Sequence, residues 1–225
     1  DEHLFKGQAI GIVDPIEGLR LMDRSIQLRD TPFSRLVRAG TRADQAVDSG
    51  RLADMEQALE DLNAARPFLA KDNLSLLFGL AGSYAQAARL AGEAGRQADR
   101  ERYLAEANEA GERLERFPES PDALFSRIAQ LEICGEDEKA FRFMEQIPPA
   151  RRRLAILARW GNALYRRGRV QDAFEAYSGL KGANDYFEAM RLTALTELLG
   201  EPERIKPELD ACYERFKGGV LELYS

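Results

Sequence analysis

The chain has 225 residues, 44% of them apolar and 31% charged, and a net charge of −6 from 32 Lys and Arg against 38 Asp and Glu. That apolar share suffices for a continuous core, and the acidic balance argues against bulk nucleic-acid binding, which needs a basic surface. No apolar run approaches the ~20 residues of a membrane span, and no signal peptide is visible, so the expected compartment is the cytoplasm.

Ala, Leu, Glu and Arg dominate, β-branched runs are absent, and Gly or Pro punctuation comes at short intervals. The chain therefore reads as all-α, with about twelve helices joined by short turns into six antiparallel pairs. The first pair covers 2–28, with Asp14 capping its second helix and Pro15 in the first turn of that helix. The second covers 32–69 and turns at Ser49-Gly50. The third, 73–116, is elongated and rich in small residues: Gly79, Ala81, Gly82, Ala85 and Ala88 predict close helix packing. Asn73 is read as its N-cap rather than as a glycosylation acceptor.

The fourth pair, 121–147, keeps Gly135, Ala140, Met144 and Ile147 in register. The fifth, 150–180, carries the stretch LARWGNALYRRGRVQDAFEAYSGL. There Leu157, Trp160, Gly161 and Leu164 share one helix face, Gly168 breaks the helix, and Ala173, Tyr177 and Leu180 mark the next. Gly161 and Ala173 are small where the two helices cross, while Trp160 and Tyr177 are expected to fill the space toward the neighbouring pair. Arg151, Arg152 and Arg153 read as a solvated helix start. The sixth pair, 184–216, is degenerate, as a terminal repeat covering an open core end should be. The tail after it is either frayed or docked through Val220, Leu221 and Leu223.

The 157–180 segment resembles the tetratricopeptide repeat (TPR) family, and 36–67 and 124–147 resemble it through the same glycine spacing. The resemblance implies a right-handed α-solenoid forming a single repeat domain over 1–225. It also implies a concave groove lined by the first helix of each pair, which receives a peptide or protein segment. On that register the groove residues are Phe125, Arg159, Asn162, Tyr165, Arg166, Phe187 and Arg191. Asp122, Glu132 and Met190 lie beside them, and Asp44 and Asp48 mark an acidic N-terminal half. Arg159, Asn162 and Arg191 are similar to part of the carboxylate clamp of chaperone-binding TPR domains, although its usual lysines are absent. The implied partner is a peptide with an anionic group or a C-terminal carboxylate. The alternative for this face is a solvated Arg-rich surface with intramolecular pairs. Separately, residues 5–32 and the Ala-rich middle resemble the helical repeat tails of some large bacterial Ser/Thr protein kinases, although no kinase motif occurs here.

Chemistry-bearing patterns are missing. His3 is the single histidine and reads as solvated, so no His-pair metal site can form. Cys134 and Cys212 lack CxxC spacing and read as buried free thiols. No phosphate-binding glycine loop and no nucleophile elbow occurs. Glu56, Glu60, Asp61, Glu132, Glu136, Asp137 and Glu138 are assigned to polar helix faces or helix starts, where acids favour the dipole. The reading is a non-catalytic protein-interaction scaffold without cofactor or metal. The alternatives are a regulatory or substrate-docking region of a larger enzyme, such as a bacterial Ser/Thr kinase, and a self-associating scaffold.

Overall fold

The computed structural model describes residues 2–11, 14–182, 185–200, 203, 205–212 and 214, and every regular element among them is helical. The chain divides into two compact units, Asp1–Ala140 and Phe141–Ser225.

The first unit holds α1 (Glu2–Gly11), α2 (Pro15–Leu28), α3 (Pro32–Ser49), α4 (Leu52–Ala65), α5 (Leu74–Glu93), α6 (Gln97–Leu114) and α7 (Pro121–Ile133). Local chemistry sets their starts. Asp14 accepts a hydrogen bond from the Glu17 backbone N–H at 3.1 Å, as its spacing to Pro15 predicts. Thr31 and Ser34 form a reciprocal capping box ahead of α3, and Asn73 and Ser120 accept from Leu76 N and Ala123 N to cap α5 and α7. Each such cap is worth about 1 kcal/mol. α3 ends at Gly50, whose φ of 66° is the left-handed conformation that only glycine adopts at no steric cost.

Consecutive helices pack on each other: α1 on α2, α3 on α4, and most extensively α5 on α6. The helices that open these pairs also touch one another, α1 with α3, α3 with α5 and α5 with α7. α5 has 20 residues and α6 has 18, in keeping with the elongation expected of this pair. Leu76, Leu77, Leu80, Ala81, Ala85 and Ala88 of α5 are buried, and with Met55, Leu59 and Leu62 of α4 they form the centre of this core. The small residues of α5 do different jobs. A Cβ on Gly79 would come 2.7 Å from Leu62 Cδ2, so that glycine permits close packing, whereas a Cβ on Gly82 would meet nothing within 4 Å.

The helix α8 (Asp137–Gln146) leads into the second unit, which holds α9 (Leu154–Arg166), α10 (Val170–Ser178) and α11 (Asp185–Leu199). Residues 205–212 are helical as well. The last predicted helix, over 202–216, lies partly outside the described residues, and Val220, Leu221 and Leu223 of the tail lie wholly outside them. α9 packs on α10. The Tyr177 ring lies directly over Gly161, so Tyr177 fills the inside of its own helix pair rather than the space toward a neighbour. Trp160 does reach outward, stacking on Phe141 with ring centroids 5.0 Å apart.

The triple-arginine segment departs from expectation at Arg152, whereas Arg151 and Arg153 are exposed ahead of the helix as expected. α9 starts only at Leu154, and Arg152 folds back instead of facing solvent. It donates to the carbonyls of Ile147, Met144 and Glu145 at the end of α8, and its guanidinium lies 4.6 Å from the centre of the Trp160 ring. A cation that caps a helix C-terminus and covers an aromatic face is favourable on both counts.

No described helix is long and apolar enough to cross a membrane. Both cysteines are free, Cys212 buried and Cys134 half-buried, and burial raises the Cys134 thiol above its ordinary pKa. His3 is half-buried rather than fully solvated.

Candidate functional site

The apolar side of α9, with Ile156, Ala158, Trp160, Gly161, Ala163 and Leu164, is buried. What remains outside is a row at helical spacing: Arg159 half-buried, then Asn162, Tyr165 and Arg166 exposed. Four of the residues expected to line a groove thus share one helix face. Tyr177 donates its hydroxyl to Asn162 Oδ1. That bond engages the amide oxygen and leaves the Asn162 NH₂ free to donate outward. Tyr165 is 40% exposed. Among the described residues Arg166 forms no ion pair, while the adjacent Arg167 bonds to the Ala163 carbonyl and covers the Phe141 ring at 3.9 Å.

The other expected groove residues fare differently. Arg191 on α11 is 7% exposed and pairs with Glu188 at 2.5 Å and Glu208 at 3.7 Å. Its bond and charge hold the Glu188 carboxyl below the ordinary range, and Glu188 in turn accepts from the Gly182 backbone N–H. Arg191 is therefore built into the joint between α11 and the segments around it. The side chains of Phe187 and Met190 lie outside the described residues. Phe125 is half-buried on α7 in the first unit, where Asp122 is exposed and Glu132 half-buried.

On α3, Asp44 and Asp48 are exposed one turn apart, and among the described residues neither meets a cation. Although Asp44 reaches solvent, the surrounding protein partly desolvates its carboxyl, and this together with the Asp48 charge raises its pKa.

Two features escape the sequence pattern. The first is Asp61, expected on a polar helix face but only 2% exposed. Arg38 grips it through Nε at 2.8 Å and Nη2 at 2.5 Å, and Arg42 adds a bond at 2.9 Å. Arg35 stands 3.7 Å away, and Asp23 and Asp30 balance the outer guanidinium groups. The spacing of Arg35, Arg38 and Arg42 on one face of α3 is the only trace of this network in the sequence. The second feature is a pair of clefts between α4 and α6, which meet at Asn63. One is lined by Tyr84, Tyr103 and Glu56, where the Tyr103 hydroxyl donates to Glu56 at 2.9 Å. The other has basic walls. Both lie along the second helices of their pairs, whereas the TPR resemblance directs attention to the first.

No group of three or more His, Cys, Asp or Glu side chains among the described residues could hold a metal ion. No known protein family, curated protein or solved structure matches this chain.

Proposed function

We propose that the chain is a non-catalytic interaction scaffold of the α-solenoid type, which holds an anionic peptide or the C-terminal carboxylate of a protein segment against α9. The observation that carries this reading is the exposed Asn162, whose amide oxygen accepts from Tyr177, in one row with the exposed Tyr165 ring and with Arg166, which forms no ion pair among the described residues. An amide donor and a guanidinium supply the charge-assisted bonds that an anion needs. The tyrosine ring supplies the apolar contact that makes such sites selective. The neighbouring arrangement of first helices in the other unit, α1 with α3, α3 with α5 and α5 with α7, is what a stacked repeat produces. Arg191 enters this reading as a positioning residue for α11, not as a contact.

Fluorescence polarisation with an array of acidic peptides, each with a free or amidated C-terminus, tests the proposal. Binding of free-carboxylate peptides should weaken at least tenfold on amidation and in the Asn162→Ala, Arg166→Ala double variant, with helicity unchanged by circular dichroism. Equal affinity in the double variant would remove α9 as the site.

A further inference from the structure

We propose that the basic cleft between the end of α4 and the C-terminal half of α6 is a binding site for a small organic dianion: a phosphomonoester-type head on an apolar body. The cleft encloses about 680 Å³, within the ~300–1,000 Å³ of small-molecule sites. Its walls come from segments the fold brings together at one end of α5. Arg66 lies in the short 3-10 turn that closes α4, and Lys71 and Asp72 precede α5. Glu109 and Arg113 stand one turn apart on α6, with Arg116 just beyond it. Leu76, 2% exposed, closes the bottom, and Pro67 and Leu69 give the rest an apolar wall.

The charges in this cleft do not balance. Four cationic side chains face two carboxylates, and those carboxylates are stretched between partners. Asp72 stands 3.5 Å from Arg113 and 3.9 Å from Arg116, and Glu109 stands 3.4 Å from Arg66 and 3.9 Å from Arg113. Elsewhere in the same unit Arg38 meets Asp23 at 2.6 Å and Arg127 meets Glu115 at 2.7 Å, the ordinary range for a charge-assisted bond. Arg66 also reaches Glu106, just outside the cleft, at 3.2 Å, but among the described residues the ion pairs of Arg113 and Arg116 are no shorter than 3.5 Å, even though Arg113 is only 15% exposed. Among the described residues Lys71 forms no ion pair at all. The lining's excess of cations, led by Lys71 and by Arg113 and Arg116 with their long contacts, lies beside an apolar floor and fits an anionic head with a carbon body better than it fits a free inorganic ion. The site lies in the first unit and stands independently of the reading given to α9.

Isothermal titration calorimetry of the whole chain in low salt at pH 7.5 tests it, with phenyl phosphate as probe, phthalate as the dicarboxylate counterpart and benzyl alcohol as the neutral one. Phenyl phosphate should bind with a submillimolar Kd, and benzyl alcohol should give no heat. Affinity should fall several-fold between pH 7.5 and pH 5, because a phosphomonoester loses its second charge near pH ~6. The Lys71→Glu, Arg116→Glu double variant changes only exposed side chains and should weaken binding at least tenfold, while Lys71→Arg with Arg116→Lys should keep it. Tighter binding of phthalate would assign the head as a dicarboxylate within the same site. Absence of heat with both anions, equal binding of benzyl alcohol, or full affinity in the charge-reversed variant would overturn the assignment.

Discussion

The ring of Tyr177 occupies the space that any side chain at position 161 would need: a Cβ on Gly161 would stand 2.6 Å from Tyr177 Cε1 and 2.9 Å from Cδ1. Gly161→Ala must therefore push the ring aside, an overpacking cost of about 1–3 kcal/mol that outweighs the ~1 kcal/mol an alanine gains in a helix. The same exchange at Gly82 meets no atom within 4 Å and should stabilise by roughly 0.5–1 kcal/mol. Urea unfolding followed by circular dichroism should show the two substitutions moving stability in opposite directions. A Gly161→Ala protein as stable as wild type would contradict the packing described.

Arg152 joins the end of α8 to the face of Trp160. Arg152→Ala leaves the carbonyls of Met144, Glu145 and Ile147 without this donor and uncovers the ring, so it should cost about 1–3 kcal/mol. Trp160→Ala removes the centre of the stack and should cost about 3–5 kcal/mol. Thermal melts of both variants should rank them in that order. An Arg152→Ala protein that melts with wild type would show the contacts to be incidental.

Asp61→Ala removes the acceptor shared by Arg38 and Arg42 and leaves their charges half-buried without it. Loss of one partner from a buried network costs about 3–5 kcal/mol, enough to unfold the first unit at moderate temperature. Arg35→Ala, whose nitrogen is 3.7 Å from Asp61, should cost far less. Comparable losses in the two variants would break this account of the network.

The Glu188–Arg191 pair makes the second unit acid-sensitive. The Glu188 pKa is lowered in the folded state below its ordinary 4.5, so the folded state binds the proton less readily than the unfolded one. The stabilising contribution is complete above about pH 4.5 and is lost as pH falls through the lowered folded value. Glu188→Gln should flatten that part of the stability–pH curve. A curve of unchanged slope in the variant would assign the acid sensitivity elsewhere.

Asp44 behaves in the opposite way. Partial desolvation and the neighbouring Asp48 raise its pKa, so the charged form is disfavoured in the helix, and Asp44→Asn should stabilise α3. Relief of one like-charge pair at this spacing is worth ~0.2–0.5 kcal/mol. The gain should be visible as a higher melting temperature at neutral pH and should shrink on acidification.

The helix boundaries were legible in the sequence because they rest on local chemistry. Asp14-Pro15, Thr31-Pro32, Asn73 and Gly50 act within a turn of their own positions, and the structure starts or ends helices beside each of them. The face of α9 was legible for the same reason, since helical period alone separates Asn162, Tyr165 and Arg166 from Trp160 and Leu164. Arg191 was not legible. A cation between Leu192 and the preceding turn reads as exposed unless one knows that Glu188 and Glu208 neutralise it. Asp61 misled for a similar reason, because its partners lie on a different helix, 19 and 23 residues away. The basic cleft was missed because its residues come from four short segments, none of which carries a pattern of its own.

Gly50 closes the turn between two helices that pack on each other, in a backbone conformation no other residue adopts comfortably, and Gly168, at φ 72°, does the same between α9 and α10. The connections that follow α4 and α8 are built instead from proline and short 3-10 turns, at Arg66–Phe68 and Pro149–Arg151. Extra residues at Gly50 or Gly168 would unseat a helix from its own partner, whereas the proline-bearing connection after α4 joins one packed pair, α3 and α4, to the next, α5 and α6. Length variation among descendants of this chain should accordingly accumulate at that proline connection, so that the molecule grows or shrinks by whole hairpins.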